Sequence, residues 1–304
     1  MRLPAAALLV ALTAVAAPAQ NTPESTRAKQ DVLWTKMEDS VRRIAAATDA
    51  VVGVAILDLT DHRGVYLNAD AIYPTASTIK IGILAELYRQ DAGTGVKLTD
   101  AYTLSEKDLV GGSGLMRGFS PGATVLTNRD LATLMVGLSD NSATNILVNR
   151  VGMENVNALF ARAGLKATRL RRLMMDAKGP QENRENTGTP REFVQLLDAL
   201  YKNEVLSKPV TEAYFRMLGT AKSSQIPTLL PGNVRTANKP GSLDGVRNDA
   251  GIVFVANRPF AIAVMTTYGG SARDAEDAIS QIARAAWTFF DRVGRSNALG
   301  RTSP

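Results

Sequence analysis

The chain has 304 residues, 45% of them hydrophobic and 21% charged, with a formal net charge of +6, one histidine and no cysteine. Such a composition fits a globular chain long enough for a large core. It excludes disulfides, thiol nucleophiles, thiolate metal sites and any two-histidine metal centre.

Residues 1–19 read as an export signal. Arg2 precedes the apolar stretch "LPAAALLVALTAVA", and "APA" at 17–19 has the small residues of a cleavage site. The stretch is too short and too poorly flanked for a stable membrane span, and no cysteine follows it for lipid attachment. An exported, periplasmic protein is the expectation; a membrane anchor or a first helix of the fold is the alternative. No Lys/Arg run of the kind used to bind nucleic acid stands out. The mild basic excess supports at most a weak attraction to anionic substrates or cell-wall polymer.

Residues 20–32 are polar and expected to be loose. "VLWTKMEDSVRRIAAA", 32–47, has apolar residues near helical spacing and predicts an amphipathic helix. "AVVGVAILDLT" predicts a strand and "GVYLN" its hairpin partner across the turn 61–64. His62 sits in that turn as a surface residue, so serine chemistry here needs a base other than histidine. The stretch from 77 to about 220 predicts mostly helix, with Thr127 or Asn128 and Thr189 as caps and Pro190 at a first helical position. Within it, 166–189 is polar and irregular. "NVRTANKPGS", "DAGIVFVAN" and "FAIAVMTTYG" predict three late strands, and 271–294 a closing helix. This order predicts an α+β fold in which 33–76 and 222–294 share one sheet and the helical block 77–221 is inserted between them.

Within "AIYPTASTIKIGIL", Ser77 and Lys80 stand at i and i+3. On a helix their β-carbons share one face, about 5–6 Å apart. A serine hydroxyl attacks only when a base takes its proton. Burial in an apolar run lowers a lysine's pKa and leaves an amine fit for that task. Near a helix N-terminus the backbone N–H of Ser77 is also free to face an oxyanion. Taken alone, the pair is equally a helix start with an outward lysine. Two later stretches accompany it: "LSDNSATN", with Ser139, Asp140 and Asn141 between two helices, and "NKPGS", with Lys239, Pro240 and Gly241 on a late strand.

Ser-x-x-Lys, Ser-Asp-Asn and a late Lys-x-Gly, in this order, resemble the signature of class A β-lactamases and penicillin-binding serine hydrolases. "YLNADAIYPTASTIK", "SDNSATNILVNRVG" and "TPREF" are similar to that family too, over about 35–292. The resemblance implies a five-stranded antiparallel sheet packed with N- and C-terminal helices, an all-helical part, and a cleft between them. It implies Ser77 as the acylated nucleophile, Lys80 as its proton partner, Ser139 as the relay to the leaving nitrogen, and Asn141 as a holder of the substrate amide. Lys239 would draw in a substrate carboxylate, and the N–H groups of Ser77 and Ser242, beside Gly241, would form the oxyanion hole. It implies no metal or cofactor, a β-lactam or cell-wall peptide as the small-molecule partner, and a monomer.

Two departures stand out. Class A enzymes carry a loop glutamate that activates the deacylating water; "ATRLRRLMMDAKGP" puts Met174 there, and a thioether is no base. Glu182 and Glu185 in the same loop are the candidate replacements. Pro240 stands where a hydroxyl residue usually helps bind the carboxylate, and Arg247 is a candidate substitute. The readings are therefore a β-lactamase with slow deacylation, a D-alanyl-D-alanine peptidase or esterase on the same scaffold, or a penicillin-binding sensor without turnover.

Overall fold

The computed structural model describes residues 23–182 and 184–302; the predicted export signal lies outside them. Helix α1 (Pro23–Ala47) leads into the hairpin β1 (Val51–Asp58) and β2 (Gly64–Leu67). A short β3 (Tyr73–Pro74) and a 3₁₀ turn over Ala76–Ile79 open onto α2 (Lys80–Ala92). Next come β4 (Ala101–Thr103), β5 (Val125–Thr127), α3 (Asn128–Gly137), α4 (Asn141–Val151) and α5 (Met153–Arg162). They are followed by α6 (Lys178–Gln181), β6 (Thr187–Gly188), α7 (Pro190–Tyr201) and α8 (Lys208–Leu218). The chain closes with β7 (Arg235–Leu243), β8 (Val246–Phe254), β9 (Phe260–Thr267) and α9 (Ala272–Gly294).

The main sheet has five antiparallel strands in the order β2-β1-β9-β8-β7. The early hairpin and the late strands therefore share one sheet, and the fold is α+β. Both sheet faces are covered, which is why β1 and β9 read as unbroken apolar runs. Val52, Val54, Ile56, Ile262 and Val264 face α1 and α9, where Trp34 meets Phe289 edge-on at 5.3 Å and Phe260 stacks on Phe290 at 4.4 Å. Ala55, Leu57, Ala263 and Met265 face the helical block.

Helix α1 begins at Pro23, so residues 23–32 are not loose as their polarity suggests. Half-buried Thr26 and Gln30 extend the stripe of Trp34, Met37 and Val41 toward the N-terminus. A helix packed along α9 continues through polar residues because its backbone bonds depend on the packed face, not on composition. The helical block also contains two small antiparallel pairs, β4 with β5 and β3 with β6. The second pins the irregular loop 166–189 to the entry of α2.

Thr127 caps α3, Asp140 caps α4 and Thr189 caps α7, each accepting from a backbone N–H of the first turn. His62 lies at the β1–β2 turn with a positive φ of 58°.

Candidate active site

Lys80 is the first residue of α2 and is fully buried, as are Ile79, Ile81, Ile83 and Leu84 around it. Each of those apolar side chains contributes on the order of 2 kcal/mol by leaving water, which anchors the start of α2 in the core. Its Nζ donates to the carbonyl of Ser139 at 2.7 Å, to Ser139 Oγ at 3.0 Å and to Asn141 Oδ1 at 3.2 Å. Burial, then the charge of Lys239, pushes its pKa well below that of an ordinary lysine, while Asp140 pulls it back. A neutral amine has two N–H donors to share among these three oxygens, and it carries a lone pair.

Ser139 Oγ accepts a second amine. Lys239, on β7, donates to it at 3.0 Å and to the carbonyl of Pro240 at 3.0 Å. Lys239 is also buried, and desolvation lowers its pKa to about 7 against the raising effect of Asp249. Residues from α2, from the α3–α4 junction and from an edge strand thus meet at one hydroxyl. Ser139 itself has a positive φ of 55°, a strained conformation that Asp140 helps to hold. The Asp140 carboxylate accepts from the N–H groups of Ala143, Leu115 and Met116, tying α4 to the segment 111–116. A Cβ on Gly114 would fall 2.0 Å from Asp140 Oδ2, so that clamp needs glycine opposite it.

Ser77 is half-buried in the 3₁₀ turn that precedes Lys80. Among the described residues its hydroxyl makes no hydrogen bond, which leaves it free to meet the lysine lone pair. Strand β7 passes directly behind it: a Cβ on Gly241 would lie 2.8 Å from the Ser77 nitrogen. Pro240 is accommodated because β7 is the edge of the sheet. Ser77, Asn141 and Ser242 line a cleft of about 340 Å³ with Gly112, Met174 and Arg172. The motif residues from three distant stretches therefore come together.

The loop residues separate. Asn145 clasps the backbone of Met174, accepting from its N–H at 2.8 Å and donating to its carbonyl at 3.0 Å. Met174 is buried and faces the cleft. Glu185 also lines the cleft, with Oε1 accepting from Arg172 Nε at 2.9 Å and from the N–H of Asn186 at 2.9 Å. Glu182 is exposed and paired with Arg184, away from the cleft lining. Arg247 gives its guanidinium to Glu276 at 2.8 Å and to the carbonyls of Leu243 and Val246, and does not line the cleft. The Asp140 clamp, Asn145 and Arg172 were not singled out from the sequence; the glycine-rich "GGSG" at 111–114 was the one available signal for the first.

A family model described as the β-lactamase enzyme family matches residues 36–290, and the chain belongs to that family. Its members are serine hydrolases that act on cyclic amides. Among its relatives are the ROB-1 β-lactamase of Haemophilus influenzae, 25% identical over 81% of this chain and 81% of that one, and a β-lactamase of Bacillus licheniformis, 26% identical over 90% and 88%. Among solved structures, a β-lactamase from Sphaerobacter thermophilus superposes with a TM-score of 0.77 at 31% identity, covering 84% of this chain and 97% of that one. PBP-A shares the fold with a TM-score of 0.77 at 23% identity, covering 84% and 96%.

Proposed function

We propose that this enzyme hydrolyses β-lactams through an acyl-enzyme on Ser77 and clears that intermediate slowly. The observation that carries the reading is the buried chain Lys80–Ser139–Lys239, two amines sharing one serine hydroxyl at 3.0 Å each. A neutral Lys80 takes the Ser77 proton as Oγ attacks the lactam carbonyl carbon. The oxyanion that forms is met by the N–H groups of Ser77 and Ser242, beside Gly241. The C–N bond then breaks, and Ser139 passes its proton to the leaving nitrogen and is resupplied from the amines. Asn141 holds the substrate's amide side chain, and protonated Lys239 attracts its carboxylate.

The second half-reaction needs a group that activates water. Met174 cannot, and Glu182 does not line the cleft. Glu185 faces the cleft with Oε2 unpartnered among the described residues, so it is the group we assign to the deacylating water. Its Oε1 is tied to Arg172 in an ion pair at 2.7 Å, which restrains the side chain and leaves a single oxygen to meet a water, in accord with slow clearance. Met174 also favours a second reading: a D-alanyl-D-alanine peptidase or penicillin-binding protein that is acylated with little turnover. A periplasmic, monomeric enzyme belongs to the same proposal; no helix among the described residues is long and apolar enough to cross a membrane.

Rapid mixing with a chromogenic cephalosporin tests this reading. The expected record is a burst of one equivalent of colour per chain, then a slower linear phase. A burst with no linear phase supports the second reading, and no colour at all contradicts both.

A further inference from the structure

The seam between α1 and α9, remote from the residues of the cleft, carries an unusual charge arrangement. Lys29, Lys36 and Arg43 follow one another at seven-residue intervals on α1, and Arg284 and Arg292 line the same seam from α9. Seven residues of helix rise about 10 Å, so the three α1 cations form a row about 21 Å long. All five are exposed. None makes an ion pair among the described residues. Their neighbours on or at the end of the same helices do: Arg42 pairs with Glu38, Arg273 with Asp277 and Arg295 with Asp291. Among the described residues no acidic one lines the groove, whose floor is Leu33, Met37, Ile44 and Phe289. Arg292 and Leu33 continue it toward Lys29 and the start of α1.

Asp39, exposed between Lys36 and Arg43 on α1, offsets the row only in part; five cations along one seam repel one another, and an anion with several charges in line relieves that repulsion. The shape limits which anion fits. The groove holds about 450 Å³, spread along about 16 Å of helix from Leu33 to Ile44. That is room for one extended chain but not for a helix, which is about 10–12 Å across. A flat lipid surface would touch only the rims. We propose that the α1–α9 groove is a binding site for a linear polyanion, a polymer whose phosphate or carboxylate groups repeat along an extended chain. This site is independent of the hydrolytic reading.

Titration of the whole protein with fluorescently labelled inorganic polyphosphate and, separately, poly-L-glutamate over a range of salt tests the proposal. At least one polymer is expected to bind, with log K falling linearly against log salt at a slope near about −3.5 for five contacts. A variant with Lys29, Lys36, Arg43, Arg284 and Arg292 all changed to Gln should bind at least about tenfold more weakly with a shallower slope, and should keep its turnover of a chromogenic cephalosporin. The pairs Lys36→Gln/Arg43→Gln and Arg284→Gln/Arg292→Gln should each lose part of the slope, and they decide the matter if the fivefold variant does not fold. Phosphate polymer alone, carboxylate polymer alone, or both binding would each support the site and name its chemistry. Failure of both polymers overturns the proposal. So does unchanged binding in the variants, or capture by phosphatidylglycerol vesicles without binding either polymer.

Discussion

The two halves of the cleft are built differently. On the acylation side, Lys80, Ser139 and Lys239 are joined by short hydrogen bonds in a dry interior, and each rests on a separate element. On the loop side, a thioether occupies the central position, and the two carboxylates that line the cleft, Asp176 and Glu185, are each paired with an arginine. Under the proposed function, the first half forms the acyl-serine and the second clears it slowly. In a two-step hydrolase these capacities are separable, because acylation uses a base aimed at the serine and deacylation one aimed at a water.

Mutations can break or sharpen that contrast. The largest effect is expected on the acylation side: Lys80→Ala should slow the burst by about 100-fold or more, as loss of a positioned general base does. An unchanged burst would remove the lysine from the mechanism. Next comes the loop: Met174→Glu should speed the linear phase by about tenfold or more by placing a carboxylate where none stands, and leave the burst alone. A slower linear phase in that variant would mean that the loop's apolar character, not a missing base, sets the rate. Glu185→Gln should slow the linear phase several-fold, and Glu182→Gln should not alter it. The reverse pattern would reassign the water.

Lys239 gives a prediction in pH. Its pKa of about 7 means that it loses its proton as pH rises through neutrality. KM for a carboxylate-bearing β-lactam should therefore climb from about pH 6 to about 8, toward tenfold per unit at the upper end. The stability sign is opposite. Between about 7 and about 10 the unfolded chain, with an ordinary lysine, holds a proton that the folded chain has released, so the fold gains stability as pH rises through that window.

Much of this was legible in the sequence. The spacing of Ser77 and Lys80 is suggestive but ambiguous alone, and it is the family resemblance that singles out the pair together with Ser139, Asn141 and Lys239. The strands and most helices follow from apolar periodicity and caps. What escaped depends on tertiary partners. The start of α1 was hidden because its first turns are polar and held by α9. Asn145 and Arg172 looked like ordinary helix and loop residues until the fold placed Met174 and Glu185 beside them. The cation row escaped because its members are seven apart: they form no run in sequence and become a row only once a helix aligns them.

The pH dependence of the burst rate tests the central claim most directly, since the base is held to be an uncharged amine at position 80. The acylation rate should rise along a single limb whose midpoint lies well below the ordinary lysine value, and that limb should vanish in Lys80→Ala. A limb near pH 10, or one that survives the substitution, would contradict it.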